Sequence, residues 1–475
     1  MVEQAVRSID PSRLRAFRDR FGGEVVLPPD PTYDTSRAVW NGMIDRRPAI
    51  VLRPDSATEV VTALRFARDE DLDIAVRSGG HSLPGYSTCD DGAIIDLARM
   101  RGVTVDPERR VARCNGGALL GELDDAAQAV GLACTAGTVS HTGIAGLTLG
   151  GGMGRLQRKL GLSIDCLRSV ELVTADGRHV RASADDNPDL FWGMRGAGAN
   201  FGIVTALEFD LAPVGPEITR GALIYPAARA SDVAAAFRDY MPSAPDDLMA
   251  SVIVGEALPA DEYPPEIAGK PIVILSVAYA GPEADADRAL APFAALGPAP
   301  AGTIGRMTHL ESQHANDEAM AWGHRIYTKS GFLNALPNDL MDAFVDHVAA
   351  SPPGEDVFSI WAFGGAIGRV AEDATAFAGR SAPFWVGAES MWDDPADDAA
   401  HREWGRSGME LIDPWRVTGS YVNDVTESGD EAIVRSIYGD AKYDRLVALK
   451  RVWDPDNVFH LNQNIRPEWS PPVVR

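Results

Sequence analysis

Two stretches of glycine constrain this chain more than any other feature. In DIAVRSGGHS (73–82) an apolar run, Ile74-Ala75-Val76, empties into Arg77-Ser78-Gly79-Gly80, with His81 directly behind the paired glycines and Ser82 after it. In GIAGLTLGGGMG (143–154) glycine recurs through an otherwise apolar run. Paired glycines let the backbone turn tightly and bring bare N–H groups close to an anion such as a pyrophosphate. Glycine at the density of the second stretch makes a poor helix and a poor strand. That stretch is expected to be a backbone wall against a flat ligand, or else a tight turn in an unliganded core. Alone, a Gly-Gly-His turn says little, because a histidine after a turn is commonly a solvated loop residue.

The surrounding pattern alternates between strands and helices. Strands are expected at 49–52, 73–76, 93–96 and 103–106, and a helix with a serine N-cap at 56–70. A second helix is expected at 118–130, with Leu119, Leu120, Leu123, Ala127 and Val130 on one face. Strands at 169–174, 180–182 and 202–210, with a helix at 187–195, complete this block. The texture changes at Ala212-Pro213-Val214-Gly215-Pro216. Beyond it, long strands (221–225, 251–256, 272–279, 357–367, 384–391) are interleaved with amphipathic helices (230–240, 283–291, 340–351, 399–411). That pattern suggests one sheet covered on a single face. After 426 come a helix through 443–452 and a polar Asn462-Gln463-Asn464 stretch. The fold class is therefore α+β, divided at 1–215, 216–425 and 426–475.

A chain of 475 residues is too long for one small core. A net charge of −24 makes nucleic acids and anionic membranes poor partners, and Arg109, Arg110 and Arg113 are too few to reverse that field. The N-terminal MVEQAVRSIDPSRLRAFRDRFGG is a charged amphipathic helix pattern without an apolar signal core, and no later run approaches the ~18 apolar residues of a membrane span. Cys89, Cys114, Cys134 and Cys166 follow neither metal-ligand nor disulfide-scaffold spacing and read as free thiols. No metal is expected, and the location is expected to be cytoplasmic.

Gly150-Gly151-Gly152-Met153-Gly154 invites a nicotinamide reading. The dinucleotide fingerprint, however, belongs on the first strand-to-helix turn of a βαβ unit. These glycines sit far from the first strand, so that reading falls to second place.

Four blocks in order carry a family resemblance: RSGGHS, GTVSHTGIAGLTLGGGMGRLQRKLGLSIDCL, NPDLFWGMRGAGANFGIVTALEF and YDRLVALKRVWDPDNVFHLNQNI. Together they resemble the flavin-linked oxidases of the vanillyl-alcohol-oxidase (PCMH-type) superfamily, in its berberine-bridge-enzyme branch. The likeness runs from about Arg37 to Pro467. It implies FAD held by an N-terminal domain with its core at about 45–213, completed by the C-terminal segment, with a substrate domain inserted between. It places Arg77, Ser78, Gly79, Gly80 and Ser82 in the pyrophosphate loop, and makes His81 the histidine bonded to the flavin 8α carbon. Gly137, Thr138, Gly143, Gly146 and Gly151 match the wall along the cofactor. Gly202, Ile203 and Val204 match the segment beside the adenine end, and Asn462 and Gln463 match tail residues near the ring. Many relatives add a cysteine link four residues before the glycine matched by Gly143. Here that position is Val139, so a single covalent link is expected.

The implied reaction removes a hydride from an alcohol or amine carbon of a small molecule, with O2 as acceptor and H2O2 as product. Thr142 falls where the family gates oxygen, and threonine, nearly the shape of valine, leaves that path open. Three residues compete as proton acceptor. Tyr421 falls where the family often has a tyrosine base, although saccharide-oxidising relatives carry theirs where this chain has Asp424. His141 is a candidate because the histidine side chain as a type can exchange a proton near neutral pH, and Lys329 lies with Tyr327 and Trp361 where the family's sheet faces the flavin. Each has a plainer reading: a core tyrosine, a loop histidine, a surface lysine. A dehydrogenase with another electron acceptor, or a flavin-bearing protein without turnover, are the rival readings. Substrate identity and oligomeric state are not legible.

Overall fold

The computed structural model describes residues 7–257, 263–427 and 430–468. Its first sheet is built from β1 (Glu24–Val26), β2 (Ile50–Arg53), β3 (Ile74–Arg77) and β4 (Ala93–Asp96), in the order β1-β2-β4-β3. β2, β4 and β3 run parallel, and β1 is antiparallel at the edge. The helix Ala57–Asp69 joins β2 to β3. It begins at Ser56, whose hydroxyl accepts the Glu59 N–H. Val60, Ala63, Leu64 and Ala67 form its buried stripe, in one core with Ile50, Leu52, Ile74 and Ile95. This crossover delivers β3 to the edge of the sheet next to β4, with the Gly-Gly-His loop at its end.

The chain continues through β5 (Val103–Asp106), β6 (Val111–Asn115), the two-residue β7 (Leu132–Ala133), β8 (Leu167–Val173), β9 (His179–Ser183), β10 (Ile203–Asp210) and the two-residue β11 (Ala212–Pro213). β5, β6, β10, β8 and β9 form an antiparallel sheet in that order, and β7 pairs with β11. β6 occupies a stretch read from sequence only as a basic cluster. Arg113 on this strand reaches across β10 to Glu171, with two bonds of 2.8 and 3.0 Å.

An eight-stranded antiparallel sheet follows: β12 (Glu217–Pro226), β13 (Leu248–Glu256), β14 (Pro271–Tyr279), β15 (Ile304–Thr308), β16 (Arg325–Leu333), β17 (Glu355–Ala362), β18 (Phe384–Trp392) and β19 (Arg416–Val417). Its order is β15-β12-β14-β13-β17-β18-β16-β19. Phe237, Phe293, Phe344 and Trp404, from the helices Ala230–Tyr240, Ala286–Ala294, Asn338–Val348 and Asp398–Glu410, pack with Val252, Leu275, Phe358 and Val386 on one face. The sequence-derived expectation of a sheet covered on one side holds, and the opposite face looks toward the first two sheets.

The structure corrects several sequence readings. β15 and β16 fall where no strand was expected. β17 ends at Ala362 rather than 367, because Gly364 and Gly365 turn the chain at φ of 85° and 55°. The glycine-rich stretch is not a wall throughout, since Ile144–Leu149 is helical. Val130 lies past the end of the helix Leu120–Gln128 and is 44% exposed. The start of the N-terminal helix pattern, 1–6, lies outside the described residues, and the helix itself is Pro11–Arg18.

The C-terminal segment is tied to the chain entering the second sheet through Lys450, whose charge is balanced within the segment by a buried ion pair. Lys450, on the helix Asp440–Trp453, lies 2.7 Å from Asp454, and both side chains are wholly buried. Lys450 Nζ also donates to the carbonyls of Asn200 at 2.8 Å and Phe459 at 2.9 Å, so all three of its protons are used.

Asp124 is buried on the helix Leu120–Gln128 and accepts a hydrogen bond from Gln313 Nε2 at 3.2 Å. Burial lifts its carboxyl to about 7. Above its ordinary value the unfolded chain releases a proton that the folded protein keeps, so the stability from this group falls as pH rises from about 4 to about 7. Asp124→Asn should remove that slope. In thermal unfolding its Tm relative to the parent is expected to be higher at about pH 8 than at about pH 4.

Candidate active site

A cavity of about 510 Å³ lies between the uncovered face of the large sheet and the loops of the first two sheets. Its floor is made where the two glycine stretches meet backbone to backbone. A Cβ on Gly79 would lie 2.1 Å from Gly143 N, and one on Gly143 would lie 2.2 Å from Gly79 N. Neither position tolerates a side chain without parting the loops. Gly146 differs: a Cβ there would meet nothing within 4 Å, so the short helix Ile144–Leu149 turns a bare flank to the cavity. At the far end, Asn462 Nδ2 donates to Ala199 O at 2.9 Å and Gln463 Nε2 to Val425 O at 2.9 Å. The amide oxygens of both residues are buried without a partner.

His81 lies in the cavity wall under Trp40, the rings stacked at 4.6 Å and 18°. Its Nε2 is 2.8 Å from His141 Nδ1, and its Nδ1 is 3.4 Å from Thr142 Oγ1. Burial, and secondarily His141, depress its pKa to about 3, so the imidazole is neutral at neutral pH.

On the opposite wall stand two acids that the sequence reading did not single out as candidates, Glu389 and Asp424. Glu389 sits mid-way along β18, between Thr328 on β16 and Val357 on β17. Ser359 Oγ donates to its Oε2 at 2.6 Å, and burial raises its carboxyl. Asp424 follows the last strand of the sheet. Burial first, and the charge of Glu389 second, push it well above the usual carboxylate range. Ser330 and Trp385 lean against it without reaching hydrogen-bond geometry, and Asp424 Oδ2, Ser330 Oγ and Trp385 Nε1 are all unpartnered. The signal for Glu389 was present in FWVGAESMW, where an acid interrupts the side of the strand opposite Phe384, Val386 and Ala388.

Residues 48–183 match the family described as FAD binding domain, and residues 420–466 match the family described as berberine and berberine like. The (R)-6-hydroxynicotine oxidase of Paenarthrobacter nicotinovorans is 31% identical over 463 residues, covering 94% of this chain and 97% of that protein. The chain belongs to the berberine-bridge-enzyme-like family of FAD-linked oxidoreductases. The crystal structure of 6-hydroxy-D-nicotine oxidase from Arthrobacter nicotinovorans superposes with a TM-score of 0.82 at 28% identity, over 94% of this chain and 98% of that one. The fold is also that of BBE-like 1 from Physcomitrella patens, with a TM-score of 0.86 at 23% identity over 96% and 100% of the two chains.

The residues of this berberine-bridge-enzyme-like protein suit FAD. A glycine cradle that a Cβ would fill, a flank without side chains and unpartnered amide oxygens together describe a site for a long, flat, polar ligand. Ser78, Gly79, Gly80, His81, Ser82, Gly137, Thr138, Thr142, Gly143, Gly146, Gly202, Val204, Asn462, Gln463 and Tyr421 line the cavity. Five other sequence candidates do not, each for a physical reason. Arg77 is buried beside the loop, where its guanidinium donates to the carbonyls of Ser36, Arg37 and Ser87 and braces the turn. Gly151 packs under Phe377 and Tyr421, and Ile203 points into the core with Val173. His141 stands behind His81. Lys329 points away from the cavity into an ion pair with Glu427 at 3.1 Å, and Tyr327 donates its hydroxyl to the same carboxylate at 3.0 Å. Against the push of burial, hydrogen bonds from Arg406 and Lys329 hold Glu427 at about 2.

Tyr421 reaches the cavity, but its oxygen already accepts N–H bonds from Gly152 at 3.1 Å, Met153 at 3.3 Å and Asn423 Nδ2 at 2.9 Å. With those donors converging on it, the phenol is a clamp between the return segment and the glycine stretch, poorly placed to accept a substrate proton. Tyr421→Phe leaves the buried Gly152 and Met153 N–H groups without this acceptor, while Asn423 Nδ2 keeps its bond to Leu147 O, and is expected to lower stability by about 1–3 kcal/mol in denaturant unfolding. Gly143→Ala is expected to yield protein without bound flavin, read from its visible absorbance after purification.

Proposed function

We propose that this protein is a flavin-dependent oxidase that removes a hydride from an alcohol- or amine-bearing carbon of a small molecule. O2 is the acceptor, H2O2 the product, and FAD is held by a single bond from His81 to its 8α carbon. The observation that carries this reading is the pairing, across one cavity, of a neutral histidine with a buried carboxyl couple. When bound, FAD supplies the hydride acceptor and passes the electron pair to O2.

His81 is suited to attachment because its imidazole is neutral and its Nε2 is held by His141, which leaves Nδ1 as the less engaged nitrogen. Glu389 takes the proton that the substrate must lose. Ser359 fixes its Oε2, Oε1 remains for the substrate, and its raised pKa brings it closer to the pH at which it works. Thr142 puts only a small side chain on the cavity wall, which supports access of O2. The name of the Paenarthrobacter relative supports an oxidase, and four free, buried cysteines support a cytoplasmic location.

Acid-precipitated protein should keep its yellow colour in the pellet, and His81→Ala should release the colour to the supernatant. Glu389→Gln should slow substrate-driven bleaching of the flavin by about 10²–10⁴-fold while leaving covalent flavin content unchanged. After reduction, recovery of the yellow colour should be much faster in aerated than in oxygen-free buffer. Equal rates would reassign the protein as a dehydrogenase with another acceptor.

A further inference from the structure

The substrate side of the cavity carries acids and no bases. Glu355 is exposed at its rim, and Glu389 and Asp424 lie deeper, while no lysine or arginine occurs among the described lining residues. Cations elsewhere in this sheet and the segments packed on it are engaged with other groups. Lys329 pairs with Glu427, Arg325 with Asp398 and Arg380 with Asp165, and Arg158 donates to backbone carbonyls. A substrate carrying a carboxylate or phosphate would meet only like charge at this end.

Strand register sets the shape of the acidic corner. On the cavity face of β18, Gly387 separates Glu389 from Trp385, which stands opposite Trp361 of β17. A Cβ on Gly387 would lie 2.5 Å from Trp385 Cη2 and 3.4 Å from Glu389 Cγ, so the indole is folded over the glycine toward the acid. Trp361 stands edge-on to that indole at 6.2 Å and 82°. Asp424 closes the corner with an oxygen that no group of the protein satisfies. Glu389 and Asp424 line one cavity and the charge of the first acts on the second, so the two ionise together more cheaply with a cation beside them, and an indole face is a favourable neighbour for one.

We propose that this corner is built for a protonated amine, held by Glu389 and Asp424 against the Trp385 indole. The inference rests on the oxidase reading above and narrows its substrate class. The ammonium proton passes to Glu389 Oε1, and the freed nitrogen lone pair expels a hydride from the adjacent carbon, leaving a C=N⁺ iminium. The hydride, a proton and O2 together make H2O2, the amine being oxidised by two electrons and O2 reduced by two. Water then adds to the iminium to give a carbonyl compound and a smaller amine, or an amino-carbonyl chain where the nitrogen is in a ring. The nitrogen is positive in both the bound substrate and the oxidised product, so the same acids pair with each. An alcohol and its carbonyl product are both neutral and leave the acids without a counter-charge.

The test compares 3-hydroxyphenyltrimethylammonium with 3-tert-butylphenol, which share a shape and differ by the charge. Neither has an amine or alcohol carbon able to yield a hydride, so binding to the holoenzyme is read by calorimetry without turnover. The cation should bind at least about tenfold more tightly than the phenol, and Asp424→Asn and Glu389→Gln should each remove most of that advantage without changing affinity for the phenol. Equal or weaker binding of the cation, absence of cation binding at millimolar concentration, or an advantage that survives both substitutions would overturn the proposal. If Asp424→Asn does not fold, Glu389→Gln alone decides. Reoxidation by O2, measured on the same holoenzyme after photoreduction, fails or sustains the oxidase reading independently of this preference.

Discussion

Gly79 and Gly143 touch through their backbones, and the architecture of the site depends on that contact. One glycine lies in the loop just beyond β3, and the other caps the short helix Ile144–Leu149. Because neither carries a Cβ, two loops from distant parts of the chain close into one surface rich in unhindered N–H groups. His81, two residues beyond the first glycine, is fixed between Trp40 and His141 as a result. Position, burial and neutral state of the imidazole thus follow from the absence of two side chains.

The two walls of the cavity have opposite electrical character. The side formed by the glycine loops offers backbone dipoles, suited to phosphates without help from a lysine or arginine. The other side, formed by the large sheet and the segment returning from it, offers carboxyl groups held above their usual pKa by burial and, for Asp424, by the charge of Glu389 as well. Neither wall is complete without the other, because the cofactor-side loops contribute no acid and the sheet contributes no glycine cradle. Tyr421 joins the walls mechanically by gathering the Gly152 and Met153 N–H groups onto one oxygen.

That most of the glycines, His81 and the amide tail would converge on one cavity was legible in the sequence, because such positions depend on residue type: only glycine lets two backbones meet without a Cβ between them. The helices over the large sheet were legible from periodicity. The wall formed by the large sheet was not, because there the deciding quantity is strand parity. Lys329 was a candidate base because the resemblance put it on the sheet without saying which face of β16 it occupies. Once paired with β18, alternate residues separate, sending Thr328 to the cavity with Glu389, and Lys329 to Glu427. Glu389 was hidden in an apolar strand, and Asp424 in a segment whose course depends on tertiary contacts. Arg77 departs from expectation for a different reason: the family resemblance set it in the phosphate loop, whereas its buried guanidinium donates to carbonyls behind that loop.

Lys450 donates to the carbonyl of Asn200 across a separation of 250 residues, with the whole eight-stranded sheet threaded between them. Asn200 also binds the tail directly: its Nδ2 donates to Gln463 O at 3.3 Å and its Oδ1 accepts the Ile465 N–H at 2.9 Å. The amides of Asn462 and Gln463 are therefore held from the opposite end of the chain, and the pocket is whole only in a molecule whose glycine loops and tail are both in place.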